Sequence, residues 1–234
     1  MNHLTRRSFM SGAAALGLAA GVGSAADGQL VWKTTDWKLS GFHALVNNPA
    51  RVKQVYDIVQ INNGHFLNNV KNSLNGLEFG FGVPRDQIKI AVAMHGPANM
   101  LNYDDYIWNK YQVGAWLKIT DPQTGKPAVR NIFVNSAKSP DKGFSSTNPD
   151  SEDSMYQDTS MHTLRFRGVQ FMSCHTASEE QARALVRMRN LKQSPEVIVR
   201  DMLAHTIEGT LVVAAMVAAI ALLQTDGHYT YITV

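Results

Sequence analysis

Cys174 is the only cysteine of the chain, His175 follows it directly, and both stand at the end of the apolar run Val169–Ser173 (VQFMS). A second histidine, His95, stands in the same kind of place, closing QIKIAVAM (87–94) just before Gly96 and Pro97. A thiol and an imidazole at the ends of two apolar runs are the parts of a nucleophile with a proton acceptor. Ser178 and Gln181 have capping-box spacing and predict a helix starting just after Cys174. The amino end of a helix carries partial positive charge and free N–H groups, which stabilise a thiolate or a persulfide anion. The same position also suits a cysteine that only fills a small apolar volume, and the sequence leaves both readings open. His95 reads equally as a general base, a metal ligand or a hydrogen-bonded loop residue. His43, His95, Cys174 and His175 are suitable ligand types for a transition metal. No H-x-x-x-H or C-x-x-C spacing accompanies them, so neither a metal nor a cofactor is expected. The haem motif C-x-x-C-H lacks its first cysteine, and no G-x-S-x-G hydrolase elbow occurs. The carboxylates of Asp150–Asp158 read as solvated charge.

The elements that must position these residues follow from hydrophobic spacing. Gly41–Asn47 reads as a strand, and Asn48 with Pro49 as the start of a helix carrying Val52, Val55, Tyr56 and Val59 on one face. Phe66–Leu77 is amphipathic, and its glycines lack dinucleotide-fingerprint spacing. Gln87–Met94 is the clearest strand, and a helix is expected at Tyr103–Trp116. From Thr120 to Asp150 the chain turns polar: DPQTGKP reads as a turn, AVRNIFVNS as a possible extra strand, and the rest as a loop, together an insertion or lid. A helix is expected to restart near Asp150. After the Val169–Ser173 strand, Ser194–Pro195 opens a helix to about Ile207, Thr210–Ala215 is a strand, Met216–Gln224 a helix and His228–Val234 a final strand. Strands alternating with helices imply an α/β fold, a three-layer sandwich with a mostly parallel sheet. Ligands bind outside the carboxyl ends of such strands. The expected site therefore holds Cys174, His95 and His175 for chemistry, with Asn47, Asn48 and Gly96 binding a ligand.

Residues 1–26 read as a twin-arginine signal peptide: Arg6-Arg7 in a charged n-region, an Ala/Gly/Leu h-region over 11–20, and small residues at 23–26. No cysteine follows the leader, which argues against a lipid anchor. The remaining 27–234 are long enough for one domain with a sizeable core. Without Arg6 and Arg7, the 22 basic residues fall to 20 against 19 acidic ones, and with no arginine-rich stripe or DNA-binding motif this excludes nucleic acid as an expected partner. The apolar run Leu211–Leu223 is short of the ~20 residues a bilayer span requires, so the mature chain is not expected to insert in a membrane.

Four pieces resemble the DsrE/DsrF-like family, which includes the sulfur-relay and YchN-type proteins. They are Asn68-Asn69-Val70 and Asn72-Ser73-Leu74 leading into IKIAVAMHGPA (88–98), GVQFMSCHTA (168–177), VVAAMV with a helix ending LLQTDG (222–227), and the closing HYTYITV. The resemblance runs from Phe42 to Val234, interrupted by the insertion. It implies a DsrEFH-like α/β sandwich assembled as a homotrimer or homohexamer, with Cys174 matching the cysteine that carries sulfur as a persulfide. The expected function is an exported, periplasmic carrier or transferase of sulfane sulfur, working with a donor or acceptor protein. The competing expectations are a non-catalytic, oligomeric ligand- or partner-binding protein and a metal-assisted redox protein.

Overall fold

Ile90–Met94 and Phe171–Cys174 are unbroken runs of apolar and small residues, the pattern of strands covered on both faces. In the computed structural model, which describes residues 30–138 and 140–234, they lie at the heart of a five-stranded, all-parallel sheet. The strands are β1 (Val52–Ile58), β2 (Ile88–Met94), β3 (Gln170–Cys174), β4 (Leu211–Val213) and β5 (Thr230–Thr233), in the order β4-β3-β2-β1-β5. Alternate side chains serve two layers. Tyr56, Ile58, Ile90, Val92, Met94 and Phe171 pack under α2 (His65–Asn75), α3 (Asp105–Lys110), α4 (Val113–Leu117), α5 (Met161–Phe166), α6 (His175–Arg189) and α7 (Pro195–Ala204). Val55, Ala91, Ala93, Met172, Cys174 and Val213 face α1 (Leu39–Val46) and α8 (Met216–Thr225). The three-layer α/β sandwich with a parallel sheet is thus the observed fold. No helix of the described residues is long and apolar enough to cross a membrane.

Several local expectations are corrected. The predicted strand 41–47 is α1, whose Phe42, Leu45 and Val46 form a helical face against α8. The predicted helix from Asn48 is instead β1. Its Val55, Tyr56 and Ile58 are buried on opposite faces of the sheet, and Gln54 accepts from Ser73 Oγ at 2.7 Å. The helix after Cys174 begins at His175 with Cys174 as its N-cap, so Ser178 is an interior, buried residue and not a cap. Tyr103–Trp116 is two helices, broken where Gln112 takes a left-handed φ of 47°.

Within the insertion, the expected turn is present. Thr120 bridges Pro127, and Arg130 pairs with Asp121 at 3.0 Å. The expected extra strand at 128–136 does not form, because Asn131 turns inward and donates to the carbonyls of Leu101 and Tyr103 (2.9 and 2.8 Å). The helix expected near Asp150 starts only at Met161, where the Ser160 side chain accepts from Thr163 N–H. The predicted leader, 1–26, lies outside the described residues.

Candidate functional site

At the carboxyl end of β3 the chain turns straight into α6, and the Cys174 side chain caps that helix. Its Sγ accepts from Ala177 N–H at 3.4 Å and from Met216 N–H at 3.3 Å. Met216 opens α8, so the first turns of two helices meet at one sulfur. Each contributes an otherwise orphaned N–H and the positive end of its dipole, surroundings that favour negative charge. Thr176 fastens this junction, its Oγ1 and N–H both donating to Ala214 O. Cys174 is only 5% exposed, yet it lines a cavity of about 190 Å³ together with His95, Gly96, Thr176 and Glu180.

His95 leaves the carboxyl end of β2 into this cavity. Its Nε2 donates to Asp57 Oδ1 at 2.7 Å, and Tyr231 OH donates to Asp57 Oδ2 at 2.6 Å. His95 follows β2, Asp57 stands near the carboxyl end of β1, and Tyr231 lies at the start of β5 opposite Val55, so adjacent strands bring the three together. Proton loss from Tyr231 is pushed above its usual range, first by that hydrogen bond and then by burial and the Asp57 charge. Gly96 has φ +51° and its α-carbon faces Val59, where an added Cβ would come within 3.0 Å of the side chain. The site loop turns there because glycine tolerates both demands.

Beneath the cavity lies a polar knot centred on Asn99, which is fully buried. Asn99 Oδ1 accepts from Cys174 N–H (2.9 Å) and Ser173 Oγ (3.0 Å). Its Nδ2 donates toward Tyr103 OH, Ser178 Oγ and Gln181 Oε1 at 3.1–3.2 Å. Ser178 Oγ in turn donates to Cys174 O (2.9 Å), and Gln181 Nε2 to Gly96 O (2.6 Å). One amide therefore ties the Cys174 backbone to the His95–Gly96 loop.

His175 is next to Cys174 in sequence but not in the cavity. It is 2% exposed, stacked on Trp32 at 3.8 Å, with Nε2 3.7 Å from Glu179 Oε1. Burial holds its pKa down to about 4, with Asp36 opposing. In the unfolded chain an imidazole titrates near 6.5. The depressed value therefore contributes stability that is complete above about pH 6.5 and lost as pH falls toward 4, about 3 kcal/mol at most. Glu179, raised by burial against the pull of Arg183, works in the opposite sense, and a comparison that leaves it in place isolates the histidine. His175→Phe is expected to flatten the fall in urea midpoint between pH 7 and pH 4. Parallel pH profiles for the two proteins would refute this.

Asn47 and Asn48 are not at this site either. They precede β1 and so lie at the amino edge of the sheet, where Asn48 Oδ1 accepts from Ala50 N–H (3.0 Å) and its carbonyl from Lys53 Nζ (3.1 Å). Their expected place at the carboxyl edge depends on a strand at 41–47, which is a helix. His43 is exposed on α1, and among the described residues no three His, Cys, Asp or Glu side chains are grouped to hold a metal ion. Sequence reasoning misses Asp57, Asn99 and Tyr231. The available signal is a lone carboxylate in the middle of the otherwise apolar VYDIV.

No protein-family profile matches the chain, and no curated protein matches it by sequence. Among solved structures it is similar to MTH1491 of Methanobacterium thermoautotrophicum, described as a protein of unknown function, at 14% identity and a TM-score of 0.37. The match covers 78% of this chain and 99% of that one, and is too distant to bear on function.

Proposed function

We propose that the protein is an exported DsrE-like carrier of sulfane sulfur, with Cys174 as the carrying residue. The observation that supports this most is the Cys174 sulfur facing two helix amino ends while lining a cavity shared with His95. The thiol proton passes to the His95 imidazole, and Asp57 balances the resulting charge while Tyr231 holds Asp57 in place. The thiolate attacks the outer sulfur of a persulfide or polysulfide donor. The donor's S–S bond breaks, a Cys174 S–S bond forms, and the donor leaves as its thiolate, so no external oxidant is needed. An acceptor thiolate then takes the outer sulfur by the same exchange. Gly96 and Thr176 shape the cavity, and His175 lies outside it.

The test is intact-mass spectrometry after incubation with polysulfide. The protein should gain the mass of one sulfur, lose it on reduction, and show no gain as Cys174→Ser. A Cys174→Ser protein that gains sulfur equally, or a wild type that gains none, sinks the reading. His95→Ala should load about 100-fold more slowly, the scale of a lost general base.

The 5% exposure of Cys174 favours a second reading, a non-catalytic ligand- or partner-binding protein with an inert thiol. Iodoacetamide at neutral pH separates the two, because rapid native-state alkylation fits the carrier and protection until denaturation fits the binder. Assembly as a homotrimer or homohexamer is also proposed. It is supported by the exposed apolar side of α8, with Val217 68% and Leu222 45% exposed, and light scattering of the purified protein tests it. Export by the twin-arginine route rests on the leader sequence, and cell fractionation with Arg6 and Arg7 replaced by Lys tests that.

A further inference from the structure

The walls of the Cys174 cavity constrain what can enter it. Ala177, Ala215, Met216 and Val217 make most of its surface apolar. Its volume of about 190 Å³ has room for about six water-sized groups, so a donor must be small. Apart from His95, Glu180 is the one ionisable side chain that lines it besides the thiol, and no lysine or arginine among the described residues does so.

Glu180 stands one turn beyond Thr176 on the same face of α6, about 6 Å further along the helix axis. Arg183, the next cation along α6, pairs with Glu179 at 3.5 Å. Asp57 is already bonded to His95 and Tyr231. At the sulfur itself, the amino ends of α6 and α8 oppose the negative charge of Glu180. Further out, no lining residue does. An anionic group on a donor therefore meets repulsion there, and an ammonium meets a counter-charge.

We propose that Glu180 sets the class of sulfur donor, a small aminothiol persulfide R–S–SH whose ammonium stands a short carbon arm from its sulfur. This rests on the sulfur-carrier reading. The arm lies along the apolar wall of Ala177 and Val217, and the ammonium meets Glu180. The Cys174 thiolate takes the outer sulfur with its proton, the donor's S–S bond breaks as the Cys174 S–S bond forms, and the aminothiolate leaves. A thiolate close to an ammonium has a lowered pKa and leaves faster. Thiosulfate, a dianion, is disfavoured by the same carboxylate.

The probes are 2-aminoethyl and 2-sulfonatoethyl methanethiosulfonate, which share a reactive group and carry opposite charges. Each forms a mixed disulfide with Cys174 and releases methanesulfinate, and the intact mass of the full chain follows the rate. Each rate is divided by that reagent's rate with 2-mercaptoethanol. One unit charge at about 6 Å in a water-like medium changes a rate about threefold, in opposite senses for the two reagents. The cation should therefore be favoured about tenfold in wild type and hardly at all in Glu180→Gln, and about 1 M salt should erase the preference. Cysteamine persulfide should load sulfur faster than 3-mercaptopropionate persulfide by a similar factor. No preference in wild type, or one that survives Glu180→Gln, overturns this proposal and leaves the carrier reading standing. Failure of both thiosulfonates to modify the native protein, or of both persulfides to add sulfur, overturns the carrier reading and this proposal with it.

Discussion

Asn99→Ala should destabilise the protein by about 4 kcal/mol, a large part of the ~5–15 kcal/mol that holds a domain of this size together. Six buried groups, from Ser173, Cys174, Asn102, Tyr103, Ser178 and Gln181, bond to this one amide. A buried polar group left without its partner costs about 1–3 kcal/mol. The losses do not add fully, because Tyr103 OH and Ser178 Oγ already lie 2.6 Å apart and Ser178 still reaches Cys174 O. The Cys174 N–H has no such reserve. Asn99→Asp keeps the acceptor and loses the donor, so it should fall between wild type and alanine. Urea unfolding measures all three, and an alanine variant within about 0.5 kcal/mol of wild type would show that the knot is not structural. Alkylation of Cys174 should also quicken in Asn99→Ala, since the thiol's backbone anchor is gone.

Gly114→Ala should cost about 3 kcal/mol or more. An added Cβ would stand 2.2 Å from Ala128 O and 2.5 Å from Ala128 N, which is contact with backbone rather than with a side chain that can swing away. The backbone cannot retreat cheaply, because Ala128 is 1% exposed and its N–H donates to Ile119 O at 2.9 Å. The strain should displace α4, and with it Trp116. Gly76 supplies the contrast: its φ is −60° and an added Cβ would have nothing within 4 Å. Gly76→Ala should therefore be neutral or stabilise by about 0.5–1 kcal/mol, through reduced freedom of the unfolded chain. Thermal unfolding of the pair tests the difference in sign.

How far the sequence reveals this molecule depends on where each residue finds its partners. β2 and β3 are legible because their runs are apolar without interruption. β1 is not, since Lys53, Gln54 and Asp57 interrupt it and Val52, Val55, Tyr56 and Val59 happen to fall at helical intervals. The polarity of those three is satisfied from elsewhere, by Asn48, by Ser73 and by the His95–Tyr231 pair. Cys174 and His95 stand out because each ends an apolar strand, a local feature. Asp57 and Asn99 do not, because what makes them matter is 38 and 75 residues away, at His95 and Cys174. His175 misleads by adjacency. One residue past a strand end, the chain is already helical, and successive side chains diverge by about 100° around a helix with 3.6 residues per turn.

The placing of β5 also makes its pairing with β1 a long-range step in folding. Tyr231 reaches Asp57 across 174 residues, and β5 pairs with β1 along Gln54–Asp57. During folding, β1 can pair with β2 before β5 docks, which leaves one side of β1 without its neighbour. Until β5 arrives, that bare edge is open to other chains, and Asp57 lacks the hydroxyl that anchors it. Any stage that precedes the docking of β5 leaves Asp57 bonded to His95 alone. Long-range pairing of this kind is slow, so the β1 edge is exposed for longer than a locally paired one.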